Sequence, residues 1–405
     1  MTDRLAHLYS QETLCAQPSA IREICALVAR PEIRSLAGGW PDPAVFPREE
    51  IAQIVAELLA EKADLLLQYG STEGLIELRQ ELAQRGQREG DARAKPEDII
   101  IIHGSQQGMD LAAHIFLERG DVALVGLPTY FGGTGAAMSR GAELAGVPVD
   151  LDGLNTELLD KEAARLKRVG RRVKGVYVIP NFQNPTGTTL PLERRRHLLE
   201  LAEKHDFVIF EDDPYGELRY EGERPPSLKA LDQTGRVVHL RSLSKTFSPG
   251  MRLGWLVGET GAVRQMAVAK QFTDSCTNTL AQYVLLEFMR RGHLDRRIEA
   301  NVAHYRRKRD FMLAQLQAHF PAEVTWNRPA GGFFIFVHLP PDWDAEELLR
   351  QAVEKNVAFV TGAPFFVDGS GRNTFRLSYS QASQADIEAA VAELGRLIKE
   401  RLARK

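Results

Sequence analysis

Between residues 99 and 240 the chain alternates short apolar runs with longer helical patterns. That alternation constrains the fold more than any other feature of the sequence. Ile99–Ile102, Val122–Val125, Val176–Ile179, Phe207–Phe210 and Val237–Leu240 are uninterrupted apolar stretches, each followed by polar or turn residues. Strands buried on both faces of a parallel sheet read as continuous apolar runs, whereas half-exposed strands alternate. Between them Gln107–Glu118 has a helical pattern, and Leu192–His205 carries an apolar face at Leu198, Leu199, Leu201 and Ala202. The spacing predicts an α/β fold: a large domain with a mostly parallel sheet flanked by helices.

The flanks follow a different pattern. Asp344–Glu354 and Gln384–Lys399 are amphipathic helix patterns, Gly332–Val337 is a β-type run, and Gly38-Gly39-Trp40-Pro41-Asp42-Pro43 is loop. A length of 405 residues suits two domains. The expected division is a large domain over 47–299 and a smaller α+β domain built from 1–46 and 300–405. Lys and Arg total 51 against 54 Asp and Glu, a net charge of −3. That balance removes the simplest electrostatic reason to expect nucleic acid or an anionic membrane as partner. No run of about 18 apolar residues offers a membrane span, and the first ten residues lack the apolar core of a signal peptide. Cys15, Cys25 and Cys276 form no C-x-x-C pair. Odd in number, they read as thiols in a reducing cytoplasm. No metal is expected.

Ligands of open α/β sheets bind at the carboxyl ends of the strands, so the residues after each run carry the functional signal. His103-Gly104-Ser105-Gln106 opens a helix whose free N–H groups suit a phosphate, although a plain strand-to-helix turn has the same composition. Pro128-Thr129-Tyr130 offers an aromatic ring, either a stacking face or core. Asn184-Pro185-Thr186-Gly187 is ordinary turn chemistry that places the amide of Asn184 at a strand end. Glu211-Asp212-Asp213-Pro214-Tyr215 reads as loop or helix cap, unless something cationic faces an acid at the end of a buried strand. Finally Ser242-Leu243-Ser244-Lys245 runs through Pro249-Gly250 to Arg252 and Gly254-Trp255. A lysine is usually a solvated charge, but this one follows an apolar strand and two hydroxyls.

The ordered combination resembles the fold-type I pyridoxal-phosphate (PLP) enzymes, the class I/II aminotransferases. S-x-S-K-x-x-x-P-G-x-R-x-G-W is the most specific element. N-P-T-G at 184–187, D-x-x-Y at 212–215 and F-R-L-S at 375–378 agree with it in order, and the resemblance covers essentially the whole chain. It implies that Lys245 holds pyridoxal 5'-phosphate as a Schiff base and that Asp212 keeps the pyridine nitrogen protonated. Asn184 and Tyr215 would donate to the phenolate oxygen, and Tyr130 would stack on the ring. Ser105, Gln106, Ser242, Ser244 and Arg252 would hold the phosphate. Tyr69 would reach the phosphate of the neighbouring subunit, which makes the enzyme a homodimer. Arg376 would grip the substrate α-carboxylate through its planar fork, with Asn184 and the backbone of Gly39 completing that pocket.

The implied reaction is transfer of an amino group from an L-amino acid to a 2-oxo acid. The segments Pro18–Glu23 and Leu36–Pro47 resemble those of 2-aminoadipate and kynurenine aminotransferases. In the aminoadipate enzymes the arginine matching Arg22 meets a side-chain carboxylate, so glutamate or 2-aminoadipate is the expected donor and 2-oxoglutarate the acceptor. Aromatic and branched-chain donors remain open. A PLP-dependent racemase or lyase on the same fold is the alternative within enzymes, and an amine-sensing regulatory domain the alternative outside them. His103, where many relatives have a small hydroxyl residue, and Gly132-Gly133, where bulkier residues are common, depart from the family pattern.

Overall fold

The computed structural model describes residues 4–9, 30, 32–91 and 93–404. Fourteen strands are numbered along these residues. They are β1 (Arg34–Ser35), β2 (Ile99–Ile102), β3 (Val122–Leu127), β4 (Glu143–Asp150), β5 (Gly153–Leu154), β6 (Val173–Val178) and β7 (Val208–Asp213). The rest are β8 (Val237–Ser242), β9 (Gly254–Val257), β10 (Thr325–Trp326), β11 (Phe334–His338), β12 (Val357–Ala358), β13 (Val360–Thr361) and β14 (Thr374–Ser378). The main sheet has the order β2-β9-β8-β7-β6-β3-β4-β5. Strands β8, β7, β6, β3 and β4 are mutually parallel. β9 runs against both its neighbours, so β2 points the same way as the parallel set. The expected mostly parallel sheet is therefore present, with β9 inserted as a reversed strand.

Both faces of the sheet are covered, which explains the uninterrupted apolar runs. On one face Ile100, Ile102, Val125, Tyr177, Phe210 and Leu240 pack with Met109 and Ala112 of the helix Ser105–Phe116 and Met266 of the helix Thr260–Gln271. On the other, Leu124, Val176, Ile209 and Val237 meet Leu159 and Ala163 of the helix Thr156–Arg168 and Leu198 and Leu201 of the helix Leu192–His205. The odd residues of β2, Ile99 and Ile101, pack with Trp255 and Val257 under the helices Arg48–Leu66, Ile76–Arg88 and Thr279–Arg290.

A further core surrounds the antiparallel sheet β10-β11-β14-β13. Its helices are Ala345–Glu354 and Gln384–Ala403, the second capped by Ser383, whose hydroxyl accepts from the Asp386 amide. The 27-residue helix His293–His319 joins the two regions. Leu294 at its start packs under the main sheet, while Tyr305, Met312 and Leu316 pack in the second core. Residues 34–46 return to that second core. β1 pairs with β12, Leu36 is fully buried there, and Asp42 accepts from Lys308 Nζ at 2.9 Å.

One expectation is corrected. The strand predicted to stop at Phe210 continues to Asp213, so Glu211, Asp212 and Asp213 are buried strand residues and not a solvated loop. Alternation along the strand sends neighbouring acids to opposite faces. Glu211 accepts from the amides of Leu228 and Lys229 at 2.8 and 2.9 Å, and its burial pushes its carboxyl up. Asp212 points to the other face. The apolar pattern predicts neither β4 nor β9. Glu143–Asp150 is half-exposed and lacks a continuous apolar run, and Gly254–Val257 is only four residues long and overlaps the lysine motif.

Candidate active site

The carboxyl ends of β2, β3, β6, β7 and β8 open into one cavity of about 250 Å³, closed on the far side by β11, β13, β14 and residues 37–40. At the end of β2, Gly104 has φ +73° and leads into the helix starting at Ser105. That φ lies in the left-handed region that favours glycine, and a Cβ there would also crowd Arg252 Nη2 at 2.9 Å. Arg252 in turn donates to the carbonyl of His103 at 3.1 Å. Ser242 and Ser244 Oγ atoms are 3.0 Å apart beside it. The free amides of a helix start, two or three hydroxyls and an arginine make a cradle for a phosphate dianion. The His103 side chain takes no part. It turns to Asp274, with Nε2 3.3 Å from Oδ2, and is absent from the cavity lining.

Lys245 follows the two serines and lines the cavity half-buried. Its Nζ donates to the Gly39 carbonyl at 2.9 Å. Burial brings its pKa down to about 8, assisted by the positive charges of Arg376 and Arg252 and opposed by Asp212. Asp212 is pushed up to about 7, first by burial and then by the neighbouring Asp213 charge, against the hydrogen bonds of Tyr177 and Ser105 and the charge of Lys245. Its Oδ2 accepts from Tyr177 Oη at 2.9 Å, and among the described residues its Oδ1 has no partner within hydrogen-bond distance. A buried carboxylate with one oxygen held and the other free is matched to a ligand donor, such as a protonated ring nitrogen.

The loop after β6 is locked from below. Arg195, fully buried, donates to the carbonyls of Pro180, Leu190 and Pro226 and to Asn181 Oδ1, and Gln183 Nε2 reaches the Pro128 carbonyl at 2.8 Å. This support presents Asn184 to the cavity. Tyr215, also buried, is held edge-on by Phe333 and Phe334 at centroid distances of 5.7 Å. Tyr130 caps the helix Phe131–Met138 and lines the cavity, and Gln106 Nε2 donates to the Gly132 carbonyl.

Arg376 comes from β14 in the second sheet. Nη1 donates to Asn184 Oδ1 at 2.8 Å and Nη2 to the Ala37 carbonyl at 2.6 Å, while Nε has no partner among the described residues. The guanidinium lies between two rings, 4.1 Å from the Phe334 centroid and 5.2 Å from that of Phe365. Burial brings its pKa down to about 10. A buried arginine whose hydrogen bonds go to neutral oxygens is prepared for an anion from outside the chain.

Every predicted residue except Tyr69 and Arg22 thus lines one cavity. Tyr69 is 85% exposed, on the outside of the chain beside exposed Leu67. Arg22 lies outside the described residues. No sequence signal marks Trp40, Phe334, Val360 and Ile179 as wall residues or Tyr177 as the partner beneath Asp212. Nor does any mark the ionic cluster behind β8, in which Arg241 pairs with Asp91 and Glu217 and Arg85 pairs with Glu217 and Glu89.

Comparison with known proteins decides the family. The profile of aminotransferase class I and II matches residues 42–394. The chain belongs to the class I and II aminotransferases. This aminotransferase is 40% identical to aromatic-amino-acid aminotransferase 1 of Thermococcus litoralis over 97% of its own length and 94% of the relative's. A solved kynurenine aminotransferase of Pyrococcus horikoshii, in complex with PMP, superposes with a TM-score of 0.94 at 40% identity, covering 98% of both chains. LysN, an α-aminoadipate aminotransferase of Thermus thermophilus solved with N-(5'-phosphopyridoxyl)-L-leucine, superposes at 0.91 and 37% identity over 100% of both. The cofactor of this aminotransferase is pyridoxal phosphate, and the fold is that of the type I PLP enzymes. The residues present fit the group: an anion cradle, a half-buried amine, and a buried carboxylate with one oxygen unpartnered among the described residues stand in one cavity.

Proposed function

We propose that this aminotransferase takes the amino group from an acidic L-amino acid, glutamate or 2-aminoadipate, and passes it to a 2-oxo acid such as 2-oxoglutarate. The observation that carries the aminotransferase part of the reading is two cations in one cavity, the half-buried Lys245 and the buried Arg376, whose hydrogen bonds go to neutral oxygens; the acidic donor rests on the resemblance around Arg22. Bound PLP supplies an aldehyde for condensation with amines and a ring that accepts electrons from the substrate α-carbon. Lys245 would hold it through Nζ, and the same amine, when free, would be the group able to move a proton at the substrate α-carbon. A pKa near 8 leaves a usable neutral fraction of this amine at neutral pH. Asp212 holds a proton on the ring nitrogen. Asn184 and Tyr215 donate to the ring oxygen, Tyr130 covers the ring face, and Ser105, Gln106, Ser242, Ser244 and Arg252 bind the phosphate. Arg376, with Asn184 and the backbone of Gly39, takes the substrate α-carboxylate.

The catalytic unit in this reading is a homodimer in the cytoplasm, in which Tyr69 of each copy reaches the phosphate site of the other. The exposure of Tyr69, Leu67 and Phe272 supports that assignment. The chain divides into a cofactor domain over 47–299 and a smaller domain from 1–46 and 300–405. Arg22 receives the side-chain carboxylate of the donor. A second reading, an aromatic donor, is favoured by Trp40, which lines the cavity while 43% exposed. Turnover of glutamate, 2-aminoadipate, leucine and phenylalanine with 2-oxoglutarate (oxaloacetate for glutamate) separates them. The acidic donors are expected to lead in kcat/KM by about tenfold or more, and Arg22→Ala to remove that lead. Phenylalanine in first place, or an undiminished glutamate rate in Arg22→Ala, would overturn the acidic assignment.

A further inference from the structure

Asp212 is not alone beneath the cavity. Tyr177 on β6 stands opposite Phe210 on β7, and both face the same side of the sheet as Asp212, two residues further along β7. The Tyr177 hydroxyl donates to Asp212 Oδ2 at 2.9 Å, while Oδ1 of this cavity-lining residue has no hydrogen-bond partner among the described residues. Tyr177 is 4% exposed and Asp212 is 2% exposed, so the bond is shielded from solvent. The tyrosine ring occupies a notch in the helix Phe131–Met138. A Cβ on Gly133 would come within 2.2 Å of the Tyr177 Cζ. The glycine that departs from the family pattern at 133 is therefore the counterpart of the tyrosine at 177: one is absent bulk, the other the bulk that fills it.

We propose that Tyr177, seated against Gly133, is the positioning residue that orients Asp212 and keeps its carboxyl ionised against the cofactor ring nitrogen. The inference rests on the PLP reading of the cavity. Tyr177 is fitted for this task because burial, the Asp212 charge and the shared hydrogen bond all hold its phenol protonated, so it only donates. The other groups facing Asp212 do not replace it. Asp213, adjacent on β7, disfavours the ionised form; Ser105 and Lys245 favour it, but both serve other parts of the cavity. Tyr130 and Tyr215 also sense the Asp212 charge, and their hydroxyls serve the cavity instead. Without the Tyr177 hydroxyl, burial and Asp213 would carry the carboxyl toward neutrality, and a neutral acid cannot hold the ring nitrogen protonated.

The test compares wild type, Tyr177→Phe, Gly133→Ala and Asp212→Asn, with Tyr177→Phe also placed in the Asp212→Asn background. Three readouts are taken: the Kd of the apo-protein for PLP, the pH midpoint of the bound cofactor's absorbance, and the thermal midpoint of the apo-protein. Tyr177→Phe keeps the ring and the fold, and is expected to weaken PLP roughly tenfold or more. Its absorbance midpoint should rise by about half a unit to one unit. Gly133→Ala, which keeps the hydroxyl but displaces the ring, should shift the midpoint in the same direction. In the Asp212→Asn background, Tyr177→Phe should have little further effect on PLP affinity. Unchanged PLP affinity and an unchanged absorbance midpoint in Tyr177→Phe would overturn the inference, as would an equal loss in the Asp212→Asn background. A wild-type chain that takes up no PLP would overturn the cofactor reading itself, a result distinct from either.

Discussion

Arg376 Nη1 donates to Asn184 Oδ1 at 2.8 Å, a single hydrogen bond that ties β14 of the second sheet to the loop after β6 of the first. The amide assigned to the cofactor and the guanidinium assigned to the substrate carboxylate are thus joined before either ligand arrives. Two aromatic rings, Phe334 and Phe365, pack against the guanidinium with centroids 4.1 and 5.2 Å from Cζ. Substrate binding then needs little reorganisation of the arginine, whose unpartnered Nε marks unused donor capacity.

The first expectation concerns that fork. Arg376→Lys retains the charge and loses the planar pair of donors and the ring stacking. Losing a buried, hydrogen-bonded charge contact costs about 2–5 kcal/mol, so kcat/KM for amino donors should fall roughly 30-fold or more. The PLP Kd should stay within a few-fold of wild type. Steady-state kinetics beside a PLP titration checks both; equal kcat/KM in the variant contradicts the assignment.

Lys245 makes a pH prediction. Only the neutral amine attacks an aldehyde, and burial places its pKa near 8. Capture of PLP by the apo-protein should accelerate about tenfold per pH unit below pH 8 and level off above it, because the neutral fraction saturates there. Stopped-flow mixing at a series of pH values gives the curve. A rate still climbing tenfold per unit beyond pH 9 would show an ordinary lysine.

The ionic cluster behind β8 carries a stability prediction. Burial pushes Asp91 upward, but the Arg241 charge, with His239 and Arg224, outweighs it and holds the carboxyl below the usual range. A lowered folded pKa contributes stability that is present above the unfolded value of about 4 and is lost as pH falls from there toward the folded value. Arg241→Leu leaves Asp91 and Glu217 without their Arg241 contacts and should cost about 3–5 kcal/mol at pH 7. The gap to wild type should narrow as the pH drops below about 4. Denaturant midpoints of the apo-proteins at pH 7 and pH 3.5 measure it, and a constant gap would remove Asp91 from the explanation.

Trp40 offers a test of donor choice. Its carbonyl accepts from Ser380 Oγ at 2.6 Å, and the residue lines the cavity. Trp40→Ala should leave the cofactor absorbance unchanged and alter the ratio of aromatic to acidic donors by about tenfold, the scale of a hydrophobic wall. An unchanged ratio places the donor side chain elsewhere.

Much of this is legible in the sequence for a physical reason. Strands buried on both faces cannot hide their apolar character, so β2 and β8 stand out, and the ligand-facing residues have to follow them. Lys245, Asn184 and Asp212 can be found that way. The acids of β7 mislead because three charges in a row look solvated. Only the fold supplies the amides for Glu211 and the phenol for Asp212. Tyr177 and Arg241 are illegible because each belongs to a strand whose faces the one-dimensional pattern does not resolve. The partnership of Gly133 with Tyr177 exists only once β6 lies under the helix Phe131–Met138.

The central claim is that Lys245 is the amine that attaches the cofactor. Borohydride reduction of the PLP-loaded protein, followed by proteolysis and mass spectrometry, tests it most directly. A phosphopyridoxyl group is expected on the peptide containing Lys245, and both it and turnover are expected to be lost in Lys245→Ala. The label on any other lysine, or amino-acid turnover surviving in Lys245→Ala, would contradict it.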